Sequence, residues 1–171
     1  PIGCEFAQIF SRLGSTVTLV ELDRRLMRTE EPEMSAALQI VLEQEGINVF
    51  TRAKAIRIVK NDERCSLVVE LTEREQELPF DKLLVAAGRT PNIEELNLDA
   101  AGVNTNERGI IVNDELLTNV SHIWACGDVI GRQRFTHVAA HHAQKVIQNV
   151  LDDAHSEIDE SAVPWGIFTD P

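Results

Sequence analysis

Residues 118–129, Thr-Asn-Val-Ser-His-Ile-Trp-Ala-Cys-Gly-Asp-Val, constrain the fold more than any other stretch of the chain. A turn leads into a short apolar run over 123–125, read as a buried strand, and Gly127 and Asp128 follow at its carboxyl end. Open α/β sheets bind their ligands in the crevice beyond the carboxyl ends of their strands. Gly127 would let the backbone approach a ligand closely. Asp128 would offer a carboxylate to hydroxyl donors.

The segments on either side alternate in period. Ile2, Phe6, Ile9, Phe10 and Leu13 fall on one helical face, and Gly14 can end that helix. Residues 16–21 alternate and are β-branched, which predicts a strand. Met34, Ala37, Leu38, Val41 and Leu42 predict a second amphipathic helix stopped by Gly46, with a strand over 47–50. Residues 53–59 and 66–71 read as antiparallel strands, with a turn at Asn61-Asp62. Residues 82–87 form a short apolar strand running into Gly88. Residues 93–117 are mostly connecting structure with one strand over 109–112. A helix spans about 137–151, with Ala139, Ala143, Val146, Ile147 and Val150 on one side and Thr136 as its N-cap. Residues 152–161 are acidic and polar and read as a linker. This order predicts an α/β, Rossmann-like unit with an inserted β-meander.

Composition narrows the function. An apolar fraction of 43% is that of a folded globular protein. A net charge of −12 with no basic stripe argues against nucleic-acid binding. No apolar run approaches membrane-spanning length, so no membrane partner is expected. Cys4, Cys65 and Cys126 show neither a C-x-x-C nor a zinc spacing; small thiols in a reducing cytoplasm are the expectation. His141 and His142 are adjacent and face different sides of a helix, so they predict no metal site.

Four stretches, taken in order, resemble the pyridine nucleotide-disulfide oxidoreductases. Pro1-Ile-Gly-Cys-Glu-Phe-Ala7 is similar to the tail of that family's G-x-G-x-I-G-x-E-x-A dinucleotide fingerprint. Ala87-Gly-Arg-Thr-Pro-Asn92 resembles its G-R-x-P-N segment. The 118–129 stretch resembles its second FAD-binding motif, T-x-x-x-I-x-A-x-G-D. Phe168-Thr-Asp-Pro171 resembles the start of its interface domain. The resemblance covers essentially all 171 residues. It implies a three-layer FAD/NAD(P)-binding fold with an inserted meander, truncated at both ends. Residues 1–90 would be an NAD(P)-binding domain lacking its first strand and first fingerprint glycines, residues 91–155 the second segment of the FAD-binding domain, and residues 156–171 a linker and the start of the dimerisation domain.

The resemblance also implies an activity. In a homodimeric enzyme, NADH would pass hydride to FAD, and FAD would pass electrons to a cysteine pair and on to a disulfide, dihydrolipoamide-type or Hg(II) substrate. Residues 135–140 and 163–171 resemble mercuric reductase-like members most and dihydrolipoamide dehydrogenase-like members next. A non-catalytic nucleotide-binding module and a single-cysteine NADH oxidase or peroxidase relative are the competing readings.

By the same resemblance, nine positions carry cofactor binding. Gly3 would serve helix–strand packing where a helix amino terminus faces a pyrophosphate. Glu5 would lie near the nicotinamide and pair with a lysine outside the chain, although its first-turn position alone also suits the helix dipole. Glu21 would accept the adenosine ribose hydroxyls and repel a 2′-phosphate, favouring NAD over NADP, with Arg24, Arg25 and Arg28 partly offsetting that repulsion. Gly88 and Arg89 would line the nucleotide crevice, Arg89 alternatively making a domain-interface salt bridge. Gly127 and Asp128 would meet the ribityl chain. The Thr136 and His137 backbone would point its N–H groups at the flavin's pyrimidine end and stabilise the reduced flavin. No catalytic residue is expected within the chain, because the redox cysteines and the His–Glu pair of the family lie outside it. His155 and Glu160 have an H-x-x-x-x-E spacing, but they precede the F-T-D-P segment and are not that pair. The 171 residues alone are therefore expected to show no turnover. Glu21→Arg in the intact protein is expected to move cofactor preference toward NADPH; unchanged kinetics with both nucleotides would sink the Glu21 assignment.

Overall fold

In the computed structural model, which describes residues 1–61, 64–72, 74–152 and 154–171, the chain opens with helix α1 (Ile2–Arg12). Strand β1 (Thr18–Val20) then pairs in parallel with β2 (Asn48–Phe50), Leu19 opposite Val49, and helix α2 (Pro32–Gln44) lies between them in the chain. Parallel neighbours need such a crossover. Proline suits the first turn of α2, where its missing N–H is no loss. Both helices end as expected on glycine. Gly14 takes φ +93° while Ser15 N–H reaches Phe10 O at 3.0 Å, and Gly46 takes φ +84° while Ile47 N–H reaches Leu42 O at 3.1 Å.

The helix spans follow the sequence, but the buried faces do not. The buried residues of α1 are Cys4, Ala7 and Gln8, whereas Ile2, Phe6, Ile9, Phe10 and Leu13 are between 40% and 76% exposed. The small residues of α1 face inward, and a Cβ on Gly3 would make ordinary contacts, 3.5 Å from Ala86 Cβ and 3.8 Å from Leu19 Cδ1 of β1. Periodicity identifies an apolar stripe but not the stripe that packs. In α2, Leu42 and Ser35 are buried while Met34 is 66% exposed. The core of this unit gathers Cys4, Ala7, Leu26, Met27, Leu42 and Ile47.

An antiparallel meander of β3 (Lys54–Lys60), β4 (Cys65–Glu70) and β5 (Glu75–Phe80) follows, with β4 in the middle and Val68 and Val69 buried. Pairing of β3 with β4 was expected; β5, rich in glutamate and carrying Pro79, was not. It is an edge strand with alternating exposure, where proline is tolerated. Of the expected Asn61-Asp62 turn, Asp62 lies outside the described residues, and Asn61 exchanges backbone bonds with Arg64. The expected strand over 82–87 does not form. These residues are exposed and belong to no ladder among the described residues. A strand exists only by pairing, which an apolar run cannot guarantee.

Residues 1–87 and 167–171 form one compact unit, and residues 88–166 form another. The carboxyl-terminal residues are held within the first. Buried Gln8 donates to Asp170 O at 2.8 Å and accepts from Asp170 N–H at 2.8 Å. Arg12 pairs with Glu45 at 2.6 Å and with the Asp170 carboxylate at 2.7 Å. The hydrogen bonds from Arg12 hold the Glu45 carboxyl below its ordinary range.

The second unit has little regular structure before its helix. A short hairpin joins β6 (Thr105–Asn106) to β7 (Gly109–Ile110), so the strand expected over 109–112 is only two residues long. The strand expected over 123–125 is reduced to a single bridge between Leu117 and Trp124, although Ala125 is buried as predicted. A 3-10 turn over Gly127–Ile130 and helix α3 (Thr136–Asp152) complete the unit. Val103, Ile110, Leu116, Ala125 and Ile130 form its core, with Val146 and Ile158 packed against it. The segment after α3 is fixed to this unit: Ile158 N–H reaches Asp114 O at 2.8 Å, and Ser156 N–H reaches Asn149 Oδ1 at 2.9 Å. Of the residues read as a linker, Asp153 lies outside the described ones.

Two glycines let the hairpin meet the 3-10 turn. A Cβ on Gly131 (φ +65°) would sit 1.8 Å from Arg108 O, and one on Gly109 (φ +135°) 2.1 Å from Val129 O. Neither a backbone clash of this size nor a positive φ suits an L side chain. Gly131→Ala is expected to destabilise the protein by about 2 kcal/mol or more in urea unfolding. A loss under about 0.5 kcal/mol, the scale of an ordinary surface change, would contradict this close approach.

Candidate functional site

The site is assembled around Gly127. Its φ of +72° suits glycine, and a Cβ there would lie 3.1 Å from Ala139 Cβ on α3. The 3-10 turn that begins at Gly127 projects Asp128, whose side chain is 44% exposed and reachable by a ligand. Arg89 pairs with the Asp128 carboxylate at 2.7 Å, and Arg134 donates to Arg89 O. Of the two readings open for Arg89, a salt bridge is the one seen: it joins two residues that the expected boundary after residue 90 would divide between domains, although both lie in the second compact unit. Gly88, just before it, takes φ +131° in the open.

The Gly127 N–H is satisfied by a side chain. It donates to His142 Nδ1 at 3.1 Å, and His142 Nε2 lies 2.9 Å from Glu160 Oε1. Arg132 holds the other Glu160 oxygen, Oε2, at 3.1 Å. His142 is fully buried. Apolar periodicity overlooked it, because the face of α3 that packs inward carries Val138, His142 and Asn149, while Ile147 and Val150 are more than half exposed. Each buried polar side chain on that face has partners: Asn149 donates to Glu115 O at 3.2 Å and Ser156 O at 3.0 Å. A histidine at i+4 from a buried valine was the available signal. His155, 3.2 Å from Glu115, and Glu160 do not pair with each other, in keeping with the rejection of that spacing.

The start of α3 differs slightly from expectation. Thr136 is its first helical residue, and Ala139 N–H bonds to Phe135 O, so Thr136 is not the residue that precedes the helix. Element ends commonly shift by a residue or two. Thr136 and His137 are exposed, and the His137 ring stacks on Phe135, which also stacks with Trp165. A cleft here is lined by His137, Val138, His141 and Asp159. His137 and His141 are four apart, on one face of α3. Among the described residues, no three His, Cys, Asp or Glu side chains come together to hold a metal.

Gly3, Glu5 and Glu21 lie on the first unit. A Cβ added at Gly3 would meet Ala86 and Leu19 at ordinary contact distance. Glu5 Oε1 accepts the Phe168 N–H at 3.0 Å, a local partner the sequence did not suggest. Glu21 directly follows β1, as a dinucleotide site requires, and its Oε1 accepts the Asp23 N–H at 2.9 Å. Cys4 is buried, and burial pushes its thiol up, away from the reactive thiolate. Cys65 and Cys126 are half-buried, and all three cysteines are free.

The sequence model of the pyridine nucleotide-disulphide oxidoreductase family matches residues 1–143. Across 99% of its length the chain is 38% identical to a mercuric reductase of Staphylococcus aureus and 36% identical to a dihydrolipoyl dehydrogenase of Bacillus subtilis. It spans 31% of the first and 36% of the second, about a third of each. The Cu(II) complex of the HOCl-induced flavoprotein disulfide reductase RclA from Escherichia coli superposes with a TM-score of 0.81 at 27% identity, over 91% of this chain and 35% of that one.

Proposed function

We propose, starting from the fact that this chain belongs to the pyridine nucleotide-disulphide oxidoreductase family, that it is part of an FAD-dependent oxidoreductase. NADH would be the electron donor. The acceptor beyond the flavin would be a cysteine pair outside residues 1–171, and then a disulfide, dihydrolipoamide-type or Hg(II) substrate. The likeness of residues 135–140 and 163–171 to mercuric reductase-like members favours Hg(II). Residues 1–90 would hold the nicotinamide nucleotide, residues 91–155 would supply the second segment of the flavin domain, and residues 156–171 would lead into the dimerisation domain of a homodimer. The three free cysteines support a reducing, cytoplasmic setting.

The observation that carries the reading is the Gly127–Asp128 turn, with its half-exposed carboxylate oriented by Arg89 at 2.7 Å. That donor set fits a flavin. The carboxylate accepts from ribityl hydroxyls, and the Gly127 peptide brings no side chain between ligand and backbone. When bound, FAD takes hydride from a nicotinamide and hands electrons on to a disulfide. The chain's own part is placement. The first turn of α3, at Thr136 and His137, presents backbone N–H groups and the positive end of a 17-residue helix, which favours negative charge on a ligand there. Glu21, oriented by the Asp23 N–H, accepts ribose hydroxyls and disfavours a 2′-phosphate, so NAD is preferred to NADP. The redox cysteines and the His–Glu pair are not among these residues, so residues 1–171 alone would not turn over.

An anaerobic NADH titration of the full-length protein, followed by visible absorbance, tests the reading. A flavin spectrum that gains a thiolate-to-flavin charge-transfer band after two electrons is the expected outcome. Flavin that bleaches without the band would replace it with a single-cysteine oxidase or peroxidase relative. A protein that holds no flavin would leave only a nucleotide-binding module.

A further inference from the structure

The Gly127–Asp128 turn rests on a buried polar chain that no apolar pattern explains. The Gly127 N–H donates to His142 Nδ1 at 3.1 Å. An imidazole nitrogen that accepts carries no proton, so the ring's proton sits on Nε2, aimed at Glu160 Oε1 at 2.9 Å. Glu160 is fixed in turn through Oε2 by Arg132 at 3.1 Å, and Arg132 also reaches Asp114 at 3.5 Å. The imidazole is fully buried and the Glu160 side chain is 19% exposed, so little water competes for these bonds. Removing the acceptor would strand a buried donor, which is a larger loss than the mean worth of a hydrogen bond.

We propose that His142 is a positioning residue for flavin binding: it fixes the Gly127 peptide, and through it the Asp128 carboxylate, while Glu160 selects the tautomer that can do so. The inference rests on the flavin reading of the Gly127–Asp128 turn. His142 does not touch the ligand in this account. Its acceptor nitrogen sets the peptide plane from which the 3-10 turn starts, and Asp128 is the next residue of that turn. The segment after α3 thereby takes part in the site from 33 positions away in sequence, since Glu160 holds the ring that holds Gly127. Packing explains none of this, because a buried aliphatic side chain would fill the same space without the two directed bonds.

The test uses two substitutions of nearly equal shape. His142→Leu removes the acceptor, and His142→Asn offers its Oδ1 where Nδ1 stood. Each is made in the full-length protein, stripped of FAD and titrated with FAD by fluorescence quenching, with melting temperature measured alongside. His142→Leu is expected to weaken FAD binding about tenfold, the scale of one unsatisfied buried donor, and His142→Asn to recover most of it. A packing role would rank the two the other way, since leucine is the better core residue. Leucine that binds FAD like wild type, or asparagine no better than leucine, overturns the inference. If the leucine variant does not fold, Glu160→Ala decides: weakened FAD binding supports the positioning chain, and unchanged binding overturns it. A wild-type protein that takes up no FAD removes the functional reading and this inference with it. Wild type that binds FAD beside an indifferent His142→Leu removes this inference alone.

Discussion

One backbone N–H, that of Gly127, organises the second unit. It starts a turn whose glycine has φ +72° and would bring a Cβ into tight contact, 3.1 Å, with Ala139. It is also buried, so it must find an acceptor inside the protein. The chain supplies that acceptor from α3 rather than from a neighbouring strand. With His142 in place, the turn, the first half of α3 and the segment that ends at Glu160 become a single hydrogen-bonded body. Arg132 and Arg89 complete it from two sides, one on Glu160 and one on Asp128. The rest of the unit is arranged so that Asp128 leaves this body with its carboxylate half-exposed.

Much of this was legible in the sequence, and the reasons differ by element. Helix spans were readable because their stops are chemical: Gly14 and Gly46 adopt left-handed conformations that few other residues take. The parallel pairing of β1 and β2 followed from the order of periods. The end of the extended segment at Gly127 was readable because glycine takes the positive φ that such a turn needs. The faces of the helices were not readable. In α1 the large stripe of Phe6 and Phe10 remains exposed and the small residues Cys4 and Ala7 pack, so the stripe that buries is not the most apolar one. Residues 82–87 look like a strand in isolation, but a strand is a relation between two segments, and that relation is not written in its own composition. Strand β5 is the converse case: unpromising residues are recruited because β4 offers an open edge.

The polar core was the least legible part of the site. His142 and Asn149 occupy positions where periodic reading counts apolar residues, and each is buried only because specific partners exist. Those partners, Glu160 and Ser156, sit in a segment whose acidic, polar composition resembles a linker. A buried hydrogen bond joins two places in the sequence, and neither place carries a mark of the other. Arg89 is a similar case: an arginine after a glycine fits several roles, and only its 2.7 Å approach to Asp128 shows which group it orients. On the proposed reading, His142, Glu160 and Arg89 convert a common glycine–aspartate turn into a fixed receptor for flavin hydroxyls.

A crystal structure of the full-length protein with FAD tests this account most directly. The account predicts the Asp128 carboxylate within hydrogen-bond distance of a ribityl hydroxyl, with the Gly127 N–H still on His142 Nδ1. Flavin bound away from Asp128, or a Gly127 peptide turned off His142 in the loaded protein, would contradict it.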